Sequence, residues 1–144
     1  KIENTLFAGI YNEEIFRELK NKKNKIVIKD SISKKKISIS INKFYLKNDN
    51  AIVISNNNTV IFTKYRKPFH YLSDFRELNI NLKKYKILIV KSGYLSPELK
   101  KLKADNFMIL TDGFVTQDFK RIKNFFREKP IYPFQKNFRY NIAI

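Results

Sequence analysis

Four side chains that could bind or react lie in two loops that each follow an apolar segment: Arg66, His70, Lys91 and Ser92. The preceding segments, Thr59–Lys64 and Lys86–Val90, are rich in β-branched residues and predict strands. If the two strands lie parallel in one sheet, both loops leave at the same edge, where α/β folds place ligand sites. We therefore expect the loops Thr63–His70 and Lys91–Leu95 to approach each other.

An anionic ligand suits such an edge. The guanidinium of Arg66 can bind a carboxylate through two parallel hydrogen bonds, although a solvated basic loop is the alternative. Arg66 and Lys91 would crowd two cations around one opening, which is costly unless an anion fills it. We expect an anion, an ordered water or a carboxylate near these residues, His70 and Ser92. Antiparallel strands would place the loops at opposite edges and leave Lys91-Ser92-Gly93 as a turn.

Catalytic and metal chemistry are poorly supported by the residues themselves. Ser92 would need an adjacent base, and its neighbour Lys91 points to the opposite side of a strand end. Gly93 supplies a backbone conformation that other residues dislike, and the glycine spacing is not that of a P-loop. His70 is the only histidine. A zinc ion needs three or four ligands, so we expect no metal site and interpret His70 as a packed, hydrogen-bonded loop residue.

The first half of the chain is predicted to be mostly β. Asn12 caps a helix that carries acidic residues in its first turn and Lys at its end, as the helix dipole prefers. Four strands after this helix are expected to form an antiparallel meander. The predicted elements are strand Thr5–Ile10, helix Glu13–Lys20 and strands Lys25–Lys29, Lys36–Leu46, Ala51–Ser55 and Thr59–Lys64.

The second half alternates helices and strands. Ser96, Pro97 and Glu98 are a helix start with a cap, a first-position proline and a first-turn acid. The predicted elements are helix Asp74–Leu78 capped by Ser73, strand Lys86–Val90 covered on both faces, strand Phe107–Thr111, helix Thr116–Lys123 and the extended segment Pro130–Phe134. We predict a single domain over residues 1–144, of α/β class with α+β as the alternative, in which helices pack on a mixed sheet of a meander plus a β-α-β unit.

Charge and composition leave two interpretations open. The net charge of +17 indicates a binder of nucleic acid or an anionic surface, but the 30 basic residues include only 6 Arg. A bias toward Lys, Ile and Asn follows equally from an AT-rich coding sequence, which we favour. The absence of Cys excludes disulfides and agrees with a reducing, cytoplasmic location. No run of 18 apolar residues predicts a membrane span. The start at Lys1 suggests a segment of a longer protein.

Several long motifs in order resemble one known family. The loop TKYRKPFH, the segment FRELNI and the strand end VKSGYLSPEL within Val60–Leu102 are similar to the C-terminal domain of the microcystinase-C family of metallopeptidases. Later matches are Leu110, Thr111, Gly113, Gln117 and Asp118, and the closing segment Lys129–Phe134, where Lys replaces the Arg of the family. The resemblance runs from about Thr5 to Phe134, nearly the whole chain.

The resemblance implies a hydrolase in two parts. Members of this family are two-domain bacterial peptidases with zinc in the N-terminal domain, which is absent from this chain. It implies that the chain is not active alone, supports the zinc domain of the same protein and helps to bind a peptide substrate. Arg66, His70, Lys91 and Ser92 occupy distinctive positions, and a role facing the zinc domain across the interdomain cleft follows from that. Nucleic acid is then an improbable partner, and no membrane partner is expected.

Overall fold

The elements of the fold come from a computed structural model that describes residues 2–21, 24–29, 33–92, 94 and 96–109. The chain divides into two units, Lys1–Asn106 and Phe107–Ile144, and the fold given below is that of the first. The predicted helix Thr116–Lys123 and extended segment Pro130–Phe134 lie outside the described residues. The single-domain organisation stays a prediction.

Seven strands and three short α-helices make up the described fold. In chain order they are β1 (Thr5–Tyr11), α1 (Glu13–Lys20), β2 (Lys25–Lys29), β3 (Lys36–Ser40), β4 (Lys43–Lys47), β5 (Asn50–Ser55), β6 (Asn58–Thr63), α2 (Leu72–Arg76), β7 (Ile87–Val90) and α3 (Pro97–Lys100), with a 3₁₀ turn at Leu82–Lys84 before β7.

The main sheet has five strands in the order β4-β5-β6-β1-β7. The first strand of the sequence lies between β6 and β7 and is parallel to both. β4, β5 and β6 form an antiparallel meander. This mixed sheet with helices confirms the predicted α/β class, and it brings the two predicted strands Thr59–Lys64 and Lys86–Val90 into one sheet in the same direction.

The predicted long strand Lys36–Leu46 is wrong, because the chain changes sheets within it. The Ile41 N–H donates to Asn24 O at 2.9 Å, on the side of β2, whereas the Asn42 N–H donates to Ile54 O at 2.9 Å, on the side of β5. The Asn42 side chain also accepts the Asn56 N–H at 2.8 Å. β3 therefore pairs with β2 in a separate two-stranded sheet, and the predicted four-stranded meander is reduced to three strands.

Two hydrophobic clusters cover the two faces of the main sheet. On one face, α2 and α3 pack through Phe75 and Leu99 against Leu6, Ala8 and other side chains of β1, β5 and β6. On the other face, α1 and the β2–β3 sheet bury a second group of side chains: Ile15, Phe16, Leu19, Ile26, Ala51, Val53, Val60 and Phe62. The described unit thus has three layers, with the sheet in the middle.

Strand β7 is covered on one face in the described part of the chain, and the expected cover of its second face stays a prediction. Leu88 and Val90 pack against the cluster of α2 and α3. Ile87 and Ile89 point the other way and are 41% and 45% exposed. Among the described residues, α1 contacts β2, β5 and β6.

Local capping sets the ends of α1 and α3 as predicted. The Asn12 side chain accepts the Ile15 N–H at 2.9 Å, and α1 runs from Glu13 to Lys20. The Ser96 hydroxyl accepts the N–H groups of Glu98 and Leu99 at the start of α3. These ends depend on residues within four positions of each other, which is why the sequence predicts them.

The predictions for α2 and for Phe107–Thr111 need correction. α2 spans Leu72–Arg76, earlier than the predicted Asp74–Leu78, because the Asp74 carboxylate rather than Ser73 accepts backbone N–H groups before the helix. Residues 107–109 are exposed and adopt no strand conformation. The rest of that predicted strand lies outside the described residues.

Candidate binding site at the carboxyl ends of the parallel strands

The connections that follow β1 and β6 leave the sheet toward opposite faces. β1 continues into α1, which packs on the face containing Val60 and Phe62. β6 continues into α2, which packs on the face containing Leu6 and Ala8. Two neighbouring parallel strands with connections to opposite faces define a topological switch point, and open α/β sheets bind ligands in the crevice that forms there.

A bulge in β1 sets which side chains lie at the switch point. The register with β6 shifts between Ala8 and Ile10, and Gly9 at φ +83° occupies the extra position. After the shift, Ile10 pairs with Phe62 and packs on the α1 side of the sheet. Because paired residues of neighbouring strands share a face and successive residues alternate, the shift places Tyr11 on the α2 side.

The loops after β6 and β7 both cross over Gly9. A Cβ atom at this position would lie 3.3 Å from Phe69 Cδ2, 3.5 Å from Lys67 O and 3.9 Å from Lys91 O. The Lys91 N–H also donates to Ala8 O at 3.1 Å. A glycine in a strand often marks such a close approach of backbones. The predicted approach of Thr63–His70 to Lys91–Leu95 is therefore confirmed.

A ring of side-chain hydrogen bonds joins the two loops. His70 Nε2 lies 2.9 Å from Ser92 Oγ, and His70 Nδ1 lies 3.1 Å from the Tyr94 hydroxyl. The Ser92 hydroxyl donates to the Tyr94 backbone carbonyl. The imidazole also lies against the Tyr94 ring at 4.6 Å between centroids. This agrees with the interpretation of His70 as a packed, hydrogen-bonded loop residue.

The hydrogen-bonded group of His70, Ser92 and Tyr94 determines which atoms donate and which accept. The Ser92 hydroxyl has one hydrogen, and it donates this hydrogen to the Tyr94 carbonyl. Toward His70 the Ser92 oxygen is therefore the acceptor, so His70 carries a proton on Nε2. Nδ1 then accepts from the Tyr94 hydroxyl. A nucleophilic serine needs a base that accepts its proton, and here the histidine donates instead. The arrangement joins the two loops and does not activate Ser92.

Backbone hydrogen bonds hold His70 in place from the other side. The Asp74 carboxylate accepts the N–H of His70 at 3.1 Å and of Tyr71 at 2.9 Å, and forms an ion pair with Lys67 at 3.0 Å. The Ser96 hydroxyl donates to the His70 carbonyl. Asp74 is thus a carboxylate close to His70, and α2 and α3 both anchor the loop.

The cations of the loop after β6 differ in their partners. Lys64 lies 3.7 Å from Asp49 and 4.7 Å from the centre of the Tyr65 ring. Its interaction with Tyr65 and, to a smaller extent, with Asp49 raises its pKa above the ordinary value. Lys67 is paired with Asp74. Arg66 instead lies over the Tyr11 ring, 5.4 Å from its centre.

The predicted residues are thus brought to one end of the sheet with different neighbours. His70 and Ser92 touch directly, Arg66 rests on Tyr11, and Lys91 begins the second loop with an exposed side chain. The ligand-binding role of all four stays a prediction. The sequence analysis missed three contributors: Gly9, Tyr11 and Tyr94. A glycine inside a strand pattern was a signal for the bulge at Gly9.

The described residues do not offer a zinc site. They contain no group of three His, Cys, Asp or Glu side chains that could hold a metal ion. Both ring nitrogens of His70 are engaged by Ser92 and Tyr94. The donor set therefore does not fit zinc, and the cofactor expectation stays a prediction. Over the same part of the chain, no helix is long and apolar enough to cross a membrane.

Fold and site together define an α/β domain in which two loops converge at the carboxyl ends of parallel strands. Residues 27–124 match the family described as MlrC C-terminus. This match covers more than half of the chain, which therefore belongs to the MlrC C-terminal family. It includes both loops of the candidate site, whereas β1 precedes it. The comparison with curated proteins gave no match, and neither did the comparison with solved structures.

Proposed function

We propose that this chain is the C-terminal part of a peptide hydrolase of the MlrC type, in which a separate N-terminal domain of the same protein supplies the zinc site. In this proposal the chain has no peptidase activity alone. It supports the zinc domain and presents a substrate-binding surface to it.

The observation that carries the proposal is the convergence of the loops after β6 and β7. They join through the His70–Ser92 hydrogen bond at the edge where parallel strands end, inside the segment that matches the family. In α/β folds, the loops at the carboxyl ends of parallel strands typically form ligand-binding sites. Arg66, His70, Lys91 and Ser92 are the residues proposed to contact the substrate or an anionic group of it.

The roles of these residues follow from their chemistry. Arg66 and Lys91 contribute positive charge to a carboxylate or a polarised carbonyl oxygen. The ring formed by His70, Ser92 and Tyr94 keeps the two loops at a fixed distance, so that the cations face a partner in one arrangement. The hydrolytic water and the metal belong to the partner domain.

The test compares this chain with the longer protein encoded by its parent gene. We expect the longer protein to hydrolyse linear peptides and to contain stoichiometric zinc, and this chain to do neither. The double substitution Arg66→Ala with Lys91→Ala in the longer protein should raise KM at least tenfold and leave the zinc content unchanged. Lys83→Ala with Lys84→Ala, at the other end of β7, is the charge-matched control. Peptidase activity of the isolated chain, or an inactive longer protein with zinc bound, would overturn the proposal.

A basic module that binds nucleic acid or an anionic surface is the alternative, and it stays a prediction. A binder of this kind should gather its lysines on one face. Described lysines lie at the end of α1, on β4, in the 3₁₀ turn and on α3. This spread supports a compositional origin of the charge. Binding to unrelated duplexes that weakens by about 0.9 log unit per contact per decade of salt would favour the alternative.

A further inference from the structure

Arg66 differs from the other cations in the loop after β6. Lys64 and Lys67 have the carboxylates of Asp49 and Asp74 within 4 Å. For Arg66 the described residues supply no carboxylate partner, and its contact is the face of the Tyr11 ring. An arginine on an aromatic ring is partly ordered while its N–H groups stay available at the edge of the guanidinium.

The fold places this pair at the switch point. Tyr11 ends β1, and its register partner Thr63 ends β6, three residues before Arg66. The Asn12 N–H donates to Thr63 O at 3.2 Å and ties the two strand ends together. Tyr11 is 40% exposed, so the pair is open to solvent rather than packed into the core.

The bulge at Gly9 is what brings Tyr11 to Arg66. If β1 paired with β6 in a regular register without the bulge, Ile10 would stand opposite Thr63, and Tyr11 would lie past the end of β6. Bulges frequently occur beside functional sites, where they redirect a side chain. Gly9 also carries a positive φ, a conformation that a larger residue adopts only with strain.

We propose that Arg66, held on the ring of Tyr11, binds a carboxylate group at the carboxyl ends of β1 and β6. The guanidinium offers two parallel N–H groups that match the two oxygens of a carboxylate. The carboxylate comes either from the C-terminus of a peptide or from an acidic side chain. This inference deepens the proposed function, since a carboxylate-binding residue beside the zinc domain would position one end of a peptide.

The test uses this chain and the peptide N-acetyl-trialanine, either with a free carboxylate or as the neutral C-terminal amide. Binding is followed by the NMR signal of the Arg66 Nε–H group. We expect a saturable shift with the carboxylate peptide and an affinity at least tenfold lower for the amide, which cannot accept two charge-assisted hydrogen bonds. Equal binding of the two peptides, or binding of neither, would overturn the proposal.

Matched variants distinguish recognition by the planar guanidinium from attraction by positive charge alone. Peptide-induced shifts of backbone amide NMR signals report the binding. Arg66→Lys keeps the charge but loses the planar fork, and we expect at least fivefold weaker binding. Tyr11→Leu should weaken binding, whereas Tyr11→Phe keeps the ring and should preserve it. Lys83→Ala removes one charge in the 3₁₀ turn before β7, at the opposite end of the sheet, and should have no effect. The proposal is wrong if Arg66→Lys binds like the wild type, or if Lys83→Ala weakens binding as much as Arg66→Lys.

The source of the carboxylate is resolved with N-acetyl-Ala-Glu-Ala amide, whose only carboxylate is a side chain. Binding equal to that of the free-carboxylate trialanine supports an acidic side chain as a source, and weaker binding supports a peptide C-terminus. The measurement needs no peptidase activity. An inactive parent protein would therefore overturn the proposed function and leave carboxylate binding by Arg66 standing.

Discussion

His70 and Ser92 are 22 positions apart in the sequence, and their side chains meet at 2.9 Å where two loops converge. The Ser92 hydroxyl donates its hydrogen bond to the Tyr94 carbonyl, so the serine oxygen accepts the hydrogen bond from the imidazole. His70 and Ser92 thus link the loop after β6 to the loop after β7. The stability of this convergence of the two loops should depend on the contact.

Replacing Ser92 by Ala should therefore lower the free energy of unfolding by about 1 kcal/mol, the usual net value of one hydrogen bond. The cause is the loss of an acceptor for His70 Nε2 and of a donor to the Tyr94 carbonyl. Urea denaturation monitored by circular dichroism measures the change. Ser73→Ala, at an exposed position of α2, is the control and should change stability by less than about 0.5 kcal/mol. Equal losses of unfolding free energy in the two variants would contradict a role of the His70–Ser92 contact in holding the loops together.

Replacing Gly9 by Ala should destabilise the chain by about 1–3 kcal/mol. The new Cβ would meet Phe69 at 3.3 Å, and the φ of +83° disfavours any L side chain. Thermal unfolding measures the loss. Gly9→Ala combined with Phe69→Leu would relieve the contact but not the backbone strain, and should not be more stable than Gly9→Ala alone. A Gly9→Ala protein as stable as the wild type would show that the bulge is not required.

Replacing Asp74 by Asn should cost about 1.5–3 kcal/mol, because hydrogen bonds to a charged acceptor are stronger than neutral ones. The carboxylate accepts the N–H groups of His70 and Tyr71, and its side chain is 10% exposed. Glu77→Gln, at an exposed position after α2, removes the same charge and should cost less than about 0.5 kcal/mol. Chemical denaturation of both variants at one pH decides between a specific and a general charge effect.

Stability should fall as the pH rises above 10, in part because of Tyr45. Burial, and then the neighbouring Tyr85, raise the pKa of Tyr45 above its ordinary value of 10.0. The folded state therefore holds the phenol proton more tightly than the unfolded chain does. This contribution is complete below pH 10 and is lost as the pH rises through the folded pKa.

The variant Tyr45→Phe tests this assignment. It should lose the hydrogen bond from the phenol to Leu78 O, and with it about 1 kcal/mol at neutral pH. Its stability should then decline less steeply between pH 10 and 11 than that of the wild type. Tyr71→Phe, at an exposed position, should decline like the wild type. Parallel slopes for Tyr45→Phe and the wild type would remove Tyr45 as a cause.

The sequence by itself determined the features that depend on neighbouring residues. Asn12 and Ser96 cap their helices through side chains that reach N–H groups two or three positions away. The short strands follow from β-branched composition and turn residues, and the resemblance of the ordered motifs led to the family. The parallel direction of β6 and β7 was also predictable, because a helix-containing segment joins them. The capping contacts are encoded within a few neighbouring residues.

The tertiary structure decided the features that join distant segments. Whether residues 36–46 form one strand depends on the hydrogen-bond partners of each backbone group. The N–H groups of Ile41 and Asn42 donate to different sheets, so the strand is interrupted there. The placement of β1 between β6 and β7 brought Tyr11 to Arg66 and both loops over Gly9. Pairing of strands far apart in sequence is set by burial of whole faces, which no local window contains. The switch point exists only once that pairing is made.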